Sequence, residues 1–376
     1  MKKVFVGVLI IIICLLFTGC WDYVNLNEID IVLGIGIDKG DEDNYKLTFE
    51  VVDLANSNKQ SGITTFLLES SGSTIFDTVR NAKKKSTNKI YFGNVQIVIL
   101  SEEIAREGIG QVIDFFMRDL EPREALNYLI SKEKTAGEVL SVKGIGSNIT
   151  SLQIYDVIYE DEKDTASSYD LPSFEIFNLL HSNYQSIALP AFRIVDNNGE
   201  PAAESDGLGV FKGDKLIGFL TPAQTKYYLF TIGRIKGGVL PLKFDSNKDN
   251  MALEIKKSHT KKSFTYEENK LKFKLDIMIE VSIGEDHSRL DFSDKSQVEK
   301  VKKYASEMVK ENVKSLIETV QRDFGSDIFG FGKVVYRRKP SLWHKIENNW
   351  DEEFKKAEAD VNVEIKILNT GLINVS

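Results

Sequence analysis

Residues 28–38 read EIDIVLGIGID, a run of β-branched residues with two closely spaced glycines. A short apolar run of this kind favours a β-strand. Residues 46–52 (KLTFEVV) and 63–69 are further strand patterns, and polar turn residues separate the three segments. The sequence therefore predicts that the folded body begins with consecutive, neighbouring strands.

Helical and strand patterns alternate after this start. Residues 73–85 predict a helix, because their apolar residues recur on one face. Residues 94–100 (NVQIVIL) predict a strand buried on both faces, and Ser101 begins a helix with two acidic residues in its first turn. A helix at 109–117, a strand at 125–130 and a helix at 135–140 complete this part.

The strongest turn signal lies near the middle of the chain, at residues 196–201 (DNNGEP). Before it, the acidic stretch at 158–169 predicts a solvated loop, followed by a helix at 171–181 and a strand at 186–196. We therefore divide the chain into residues 1–19, an N-terminal α/β region of one or two subdomains at 20–195, and a C-terminal α/β domain at 196–376.

The second half of the chain predicts longer elements. A hairpin at 207–220 and a helix beginning at Thr221 come first. Strands at 238–244, 252–258 and 271–281, a long helix at 293–324 and a final strand at 361–368 follow. Together the patterns predict a mixed α+β fold with several domains, mixed sheets with flanking helices, and one long helix in the C-terminal domain.

Composition and charge exclude several classes of protein. Of 376 residues, 42% are hydrophobic and 28% charged, which argues against a largely disordered chain. The net charge of -8 makes nucleic acid an unsuitable main partner. Because both cysteines, Cys14 and Cys20, precede residue 21, disulfides, thiol nucleophiles and Cys-based zinc sites are excluded from the body.

The first twenty residues indicate export and lipid attachment. Lys2 and Lys3 precede an apolar run at 4–17, which is shorter than the roughly 20 residues of a membrane-spanning helix. The run ends in Phe17-Thr18-Gly19-Cys20, which resembles the lipobox of bacterial lipoprotein precursors. We expect residues 1–19 to be a cleaved signal peptide and Cys20 to carry a diacylglyceryl group. An ordinary secretory signal or an uncleaved anchor is the alternative.

No motif in the body indicates catalysis. The glycines at 34 and 36 lack both the third glycine of a dinucleotide loop and a following helix. The acidic cluster at 160–164 lacks the spacing of a calcium loop. The four histidines are too far apart in sequence for an HExxH-type pair. We therefore predict no catalytic residue, no metal and no cofactor other than the lipid on Cys20.

Residues 327–350 (DIFGFGKVVYRRKPSLWHKIENNW) interleave aromatic and basic side chains. Such a mixture is enriched at protein–protein contacts, although it also suits core packing beside a basic surface turn. We name as candidate partner-contact residues Phe329, Phe331, Trp343 and Trp350, together with Trp21, Asp22, Leu26 and Asn27, which would lie beside the bilayer because they follow the anchor.

These residues also give the chain a resemblance to a known family. The sequence resembles the Ger(x)C family, the lipoprotein C subunits of nutrient germination receptors in spore-forming bacteria. The resemblance is carried by Gly19-Cys20-Trp21-Asp22 with Leu26-Asn27, by Gly34-Ile-Gly36-Ile-Asp38, by residues 92–123 from Phe92-Gly93-Asn94 to Arg123, and by the tract at 327–350 with Val361-Asn362-Val363 and Thr370-Gly371-Leu372-Ile373. Asn25 stands where this family usually has Glu.

The resemblance implies a non-enzymatic subunit of a membrane receptor. It implies integral membrane A-type and B-type subunits as partners, attachment to the spore inner membrane by the lipid on Cys20, and a role in nutrient-triggered germination. It also implies a mixed α/β body with several domains.

Two other functions remain open. A solute-binding lipoprotein that captures the germinant directly would need a cleft of about 300–1,000 Å³. A lipid-anchored cell-wall hydrolase is the weaker alternative, because no nucleophile–base spacing or metal-ligand cluster stands out.

Overall fold

The larger of two β-sheets has nine strands in the order β3-β2-β1-β5-β6-β7-β8-β9, with β4 paired to β1. A computed structural model describes residues 28–58, 62–118, 126–243, 250–288 and 290–369, together with Phe5 and Gly7. The strands of this sheet are β1 (Ile29–Lys39), β2 (Tyr45–Asn58), β3 (Gly62–Gly72), β4 (Lys89–Tyr91), β5 (Ile97–Ser101), β6 (Asn127–Ser131), β7 (Ala188–Asn197), β8 (Glu200–Lys212) and β9 (Lys215–Leu220). The sheet is mixed, because β1 is antiparallel to β2 but parallel to β5.

Seven helices flank this sheet. They are α1 (Ile75–Ala82), α2 (Glu102–Glu107), α3 (Gly110–Arg118), α4 (Ala136–Ser141), α5 (Thr150–Asp164), α6 (Ser173–Leu180) and α7 (Pro222–Ile232). Helices α4 and α5 form with one face of the sheet a separate apolar cluster that includes Ile99, Leu129 and Ile154. The larger cluster includes residues of the opposite face of the sheet, as expected for a sheet covered on both sides.

Glycines on β1 let helices approach this sheet closely. A Cβ atom on Gly34 would lie 2.6 Å from Ser151 Cβ, and one on Gly36 would lie 3.2 Å from the backbone of Ala136. Because a larger residue has no room there, the G-I-G pattern serves helix packing, in line with the absence of a nucleotide motif.

The smaller sheet has four strands in the order β10-β11-β12-β13. They are β10 (Val239–Lys243), β11 (Asn250–Glu267), β12 (Lys270–Asp286) and β13 (Glu358–Asn369), and β13 is parallel to β12. Helix α8 (Lys295–Thr319) packs against β13 and continues into a π-helical turn, Val320–Phe324. Helices α9 (Phe331–Arg338), α10 (Pro340–Ile346) and α11 (Trp350–Lys356) precede β13.

The mixed α+β class, the two mixed sheets and the single long C-terminal helix are confirmed by this architecture. Capping side chains encoded next to the helices explain why these helices could be predicted. Ser101 and Thr221 cap α2 and α7 through their side-chain oxygens, and Thr135 caps α4 in the same way. The cap of α1 is Thr74, one position after the start of the predicted segment.

The solvated loop predicted at 158–169 is wrong for most of its length, because α5 extends to Asp164. Ile154 and Ile158 bury one face of this helix. The carboxylate of Glu162 is buried on the same side and accepts a hydrogen bond from Lys236 Nζ at 2.7 Å. The acidic composition of this stretch suggested that all of its carboxylates are exposed, whereas Glu162 is buried.

The turn at 196–201 lies between two strands of one sheet. Strands β7 and β8 pair directly across it, and Asn198 and Gly199 adopt positive φ as a tight hairpin turn requires. The turn that we used to divide the chain is therefore a hairpin inside the nine-stranded sheet, which continues to Leu220.

Within the described ranges, no helix combines the length and apolar character needed to cross a bilayer.

Candidate functional site

The start of α9 is held by a buried carboxylate. Asp327 is almost fully buried and accepts hydrogen bonds from the backbone N–H groups of Phe331, at 3.1 Å, and Gly332, at 2.8 Å. Desolvation raises the pKa of Asp327 to about 6, although the two N–H donors oppose this shift. The D-I-F-G-F-G motif thus fixes the N-terminus of α9.

Both glycines of this motif are required by the geometry. Gly330 has a φ of 73°, which favours glycine, and it precedes the first residue of α9. A Cβ atom on Gly332 would lie 2.5 Å from the Tyr184 carbonyl oxygen and 2.9 Å from the Trp350 ring. The motif therefore lets α9 pack directly on the segment that follows α6.

The four aromatic side chains that we predicted to contact a partner lie in the core. They are Phe329, Phe331, Trp343 and Trp350. Phe331 stacks on Phe273 of β12 with ring centroids 4.3 Å apart, and the Trp343 and Trp350 rings lie 5.2 Å apart. In this conformation their side chains are not available to a partner, and the core-packing alternative describes them correctly.

Three basic residues of the same tract lie on the solvent-facing side of α9. Lys333, Arg337 and Arg338 line a cleft of about 810 Å³ that α6, the α7 region and β11 enclose on the other sides. The cleft is also lined by apolar and aromatic side chains, among them Phe174 and Tyr184. Helical spacing puts Lys333 and Arg337 on one face of α9.

Lys262 of β11 also lines this cleft, next to the start of α9. Its Nζ donates a hydrogen bond to the carbonyl oxygen of Phe329. Desolvation lowers the pKa of Lys262 to about 8, although Asp327 favours the charged form. This lysine is therefore charged at neutral pH at an energetic cost.

Arg234 and Glu175 form the cleft's internal ion pair. Arg234 Nη1 lies 2.9 Å from Glu175 Oε2, and Nη2 donates to the carbonyl oxygen of Asp170 at 3.0 Å. The arginine also lies over the Tyr169 ring, 5.4 Å from its centroid. Among the described residues that line the cleft, Glu175 is the one carboxylate.

The floor of the cleft is held by two buried tyrosines. Tyr169 Oη donates to the Ala188 carbonyl oxygen at 2.8 Å and lies 3.4 Å from Tyr228 Oη. Desolvation raises the pKa of Tyr228 to about 12 and that of Tyr169 well above its usual value, so both rings stay neutral. The floor therefore contributes polar contacts without charge.

The chemistry that this arrangement supports is electrostatic binding. In the described part of the chain, no group of three or more His, Cys, Asp or Glu side chains is placed to hold a metal ion. The convergent groups of the cleft are cations and aromatic rings, which bind oxyanions and planar or apolar groups.

Sequence reasoning found only part of this cleft. The tract at 327–350 contains Arg337 and Arg338, which we did not name as candidate residues, and Lys262, Arg234 and Glu175 carried no motif. Lys262 is one of several lysines in residues 256–262, and nothing in their order distinguishes the one that is enclosed. The other candidate residues, Cys20, Trp21, Asp22, Leu26 and Asn27, lie outside the described residues.

Two family models match the chain over most of its length. The model described as spore germination protein N-terminal domain matches residues 22–194, and the model described as spore germination B3/GerAC like, C-terminal, matches residues 206–371.

Similar proteins carry names from the same process. Spore germination protein B3 of Bacillus subtilis (strain 168) is 25% identical over 94% of this chain and 95% of that protein. Spore germination protein A3 of the same organism is 27% identical over 97% of this chain and 98% of that protein. The crystal structure of the GerBC protein matches with a TM-score of 0.58 and 22% identity, covering 89% of this chain and 97% of that chain, and shows the same fold. The chain therefore belongs to the Ger(x)C family of spore germination proteins, the C subunits of germinant receptors.

Proposed function

We propose that this chain is the lipid-anchored, non-enzymatic C subunit of a germinant receptor in the inner membrane of a bacterial spore. The match of the two family models to residues 22–194 and 206–371 is the observation that carries the proposal. The similar germination proteins are matched over nearly their whole length, which supports a corresponding role for the entire chain.

The anchor is assigned to Cys20. The Thr18-Gly19-Cys20 sequence at the end of an apolar run supports diacylglyceryl transfer to its thiol, cleavage before it, and acylation of the new amino terminus. Two or more acyl chains give stable attachment, whereas one chain binds a bilayer only marginally. Since β1 begins at Ile29, the linker to the body spans at most roughly 30 Å.

The partners are assigned as the integral membrane A-type and B-type subunits. With the four aromatic candidates of the 327–350 tract buried, the contact proposal is left with Trp21, Asp22, Leu26 and Asn27, which follow the anchor directly. In this role the body transmits or stabilises a receptor state through protein contacts and catalyses no reaction. Co-purification of the A-type subunit with the wild-type chain, and its loss with Trp21→Ala, would support this assignment.

Replacement of Cys20 by alanine tests the anchor. We expect the Cys20→Ala chain to move to the soluble fraction of disrupted spores, because it lacks the thiol that accepts the lipid. The Cys14→Ala chain is the matched control, since it also loses one thiol but keeps the attachment site. A wild-type Cys20 found unmodified by mass spectrometry would contradict the proposal, and so would a Cys20→Ala chain that stays in washed membranes although residues 1–19 have been removed.

Direct capture of a germinant is the second candidate function. The cleft volume of about 810 Å³ falls within the range of about 300–1,000 Å³ that small-molecule sites occupy. Calorimetry with amino acid, sugar and nucleoside germinants would support this candidate if one of them binds saturably.

A further inference from the structure

The cleft between α6, α7 and α9 has the opposite charge to the protein as a whole. The chain carries a net charge of -8, yet the cleft gathers five cationic side chains and one carboxylate. Arg234 and Glu175 neutralise each other's charge in an ion pair. Four cations then remain without a lining carboxylate, namely Lys262, Lys333, Arg337 and Arg338.

Such a concentration of like charge is costly unless something offsets it. Desolvation is the main cost of charging Lys262, and repulsion by Lys333 adds to it. Asp327 attracts Lys262 but uses its oxygens to accept hydrogen bonds from Phe331 and Gly332. The protein contact of Lys262 Nζ is a neutral carbonyl oxygen, which leaves further N–H donors for a ligand.

We propose that this cleft binds a small oxyanion, a phosphate or carboxylate compound with at least two negative charges, through Lys262, Lys333, Arg337 and Arg338. The two guanidinium groups match the forked geometry of carboxylate and phosphate, and the two ammonium groups act as point charges. This assignment does not depend on the lipid anchor or on assembly with other subunits.

The walls indicate that the anion has an organic part. Phe174 is 44% exposed at the cleft, and Leu179, Ile232 and Tyr184 line it as well. Tyr184 is itself held by stacking on Tyr336, with ring centroids 5.2 Å apart. A volume of about 810 Å³ exceeds the need of an inorganic ion and suits a molecule of several carbon atoms.

Anion binding should be coupled to protonation of Lys262. An anion favours the charged lysine, so binding takes up protons near the lysine's pKa of about 8. Asp327 and Lys333 face Lys262 directly, while Glu175, Arg234, Arg337 and Arg338 line the rest of the cleft. Asp327 is ionised above about pH 6 and the arginines stay charged, so the affinity should be full below pH 8 and fall above it.

Calorimetry on the full chain in a nonionic detergent tests the site, with inorganic phosphate and citrate as probes. We expect both probes to bind saturably at pH 7, and citrate, whose charge changes little over this range, to bind roughly tenfold more weakly at pH 9. Lys262→Met, which keeps most of the packing volume, should weaken binding at pH 7 at least about tenfold and abolish the pH dependence. Arg337 is exposed, so Arg337→Gln should leave folding intact and weaken binding by a similar factor.

The matched control is Lys310→Gln, which removes one cation from α8, where the lysine pairs with Glu307. Unchanged affinity in this variant, together with the losses above, would support the site. Absence of saturable binding of both probes, or equal effects of Arg337→Gln and Lys310→Gln, would overturn it.

Mixed micelles of detergent and phospholipid distinguish a lipid headgroup from a free anion as the natural ligand. Phosphatidylglycerol in the detergent micelles should compete with phosphate if a lipid headgroup is the natural ligand, whereas neutral phosphatidylcholine should not. Phosphate binding that phosphatidylglycerol leaves unchanged would assign the site to a free anion. Competition that persists in the Lys262→Met chain would contradict a headgroup in this cleft.

Discussion

Three buried carboxylates, Asp38, Glu50 and Asp327, each accept hydrogen bonds from two backbone N–H groups at the start of a helix. Asp38 binds Ala136 and Gly137 in α4. Glu50 and Asp327 make the equivalent contacts to α5 and α9. Because a helix N-terminus carries partial positive charge, these charge-assisted bonds offset part of the desolvation that raises the pKa of Asp38.

Glu50→Gln should destabilise the protein. Glu50 Oε1 and Oε2 lie 2.8 Å from Thr150 N and Ser151 N, and an amide would present N–H to one of these donors. We expect the free energy of unfolding to fall by about 1–3 kcal/mol, measured by urea denaturation. Glu69→Gln, which removes an exposed partner of Lys46, should change it by less than about 1 kcal/mol. Equal effects of the two substitutions would contradict the anchoring role of Glu50.

Asp327 should make stability depend on pH. Its pKa is about 6 in the folded protein against 3.8 unfolded, so the folded state binds more protons between these values. The contribution of Asp327 is therefore greatest below about pH 4 and declines as the pH rises to about 6, by up to about 3 kcal/mol. The measurement is the free energy of unfolding by urea denaturation at each pH, for the wild type and for Asp327→Asn. The difference between the two proteins isolates the contribution of Asp327. A difference that stays constant from pH 4 to 7 would contradict it.

The pairing of a buried carboxylate with the N-terminus of a distant helix cannot be predicted from the sequence. Glu50 and its donors are about 100 positions apart in the chain, and neither carries a local signature of the other. The chain contains 56 acidic residues, and burial alone separates Glu50 from the exposed ones. Fixing which carboxylates serve as helix anchors therefore requires the tertiary structure.

At the scale of elements, local chemistry made most strands and helices predictable. The caps of α2, α4 and α7 use hydroxyl side chains within three residues of their targets, so the signal is contained in the sequence. Helix α5 was missed over its whole length, because we assigned no element to 141–157 and a loop to 158–169. Its acidic C-terminal half masked the apolar spacing of Ile154 and Ile158, which the structure buries. The segment at 196–201 was recognised as a turn but interpreted as a domain boundary, although Asn198-Gly199 is itself a local signal for a hairpin between paired strands.

Gly34→Ala should disturb the contact between β1 and α5. The added Cβ would lie 2.6 Å from Ser151 Cβ, so α5 must move away and stretch the bond from Ser151 N to Glu50. We expect a loss of about 1–3 kcal/mol in the free energy of unfolding. Gly284→Ala is the matched strand control, since its nearest neighbour would be 3.5 Å away. A Gly34→Ala protein as stable as the control would show that the helix adapts without cost.

At the scale of the whole molecule, the two sheets share one core. The larger apolar cluster includes Ile35 and Val98 of the nine-stranded sheet as well as Leu275 and Val281 of the four-stranded sheet. Phe329 lies where the sheets meet, with its ring 6.2 Å from Tyr228 of α7 and 6.3 Å from Phe354 of α11. A continuous core of this kind predicts that both sheets lose stability together.

Phe329→Ala tests this shared core. Removing a fully buried ring should cost about 3–5 kcal/mol. If the sheets open as one unit, amide hydrogen exchange should accelerate at least about a hundredfold in both β5 and β12. Phe76→Ala, at a position 52% exposed, should leave both rates nearly unchanged. Acceleration confined to β12 would mean that the four-stranded sheet opens separately. The cleft between α6, α7 and α9 would then lie on a boundary that can open while the nine-stranded sheet stays folded.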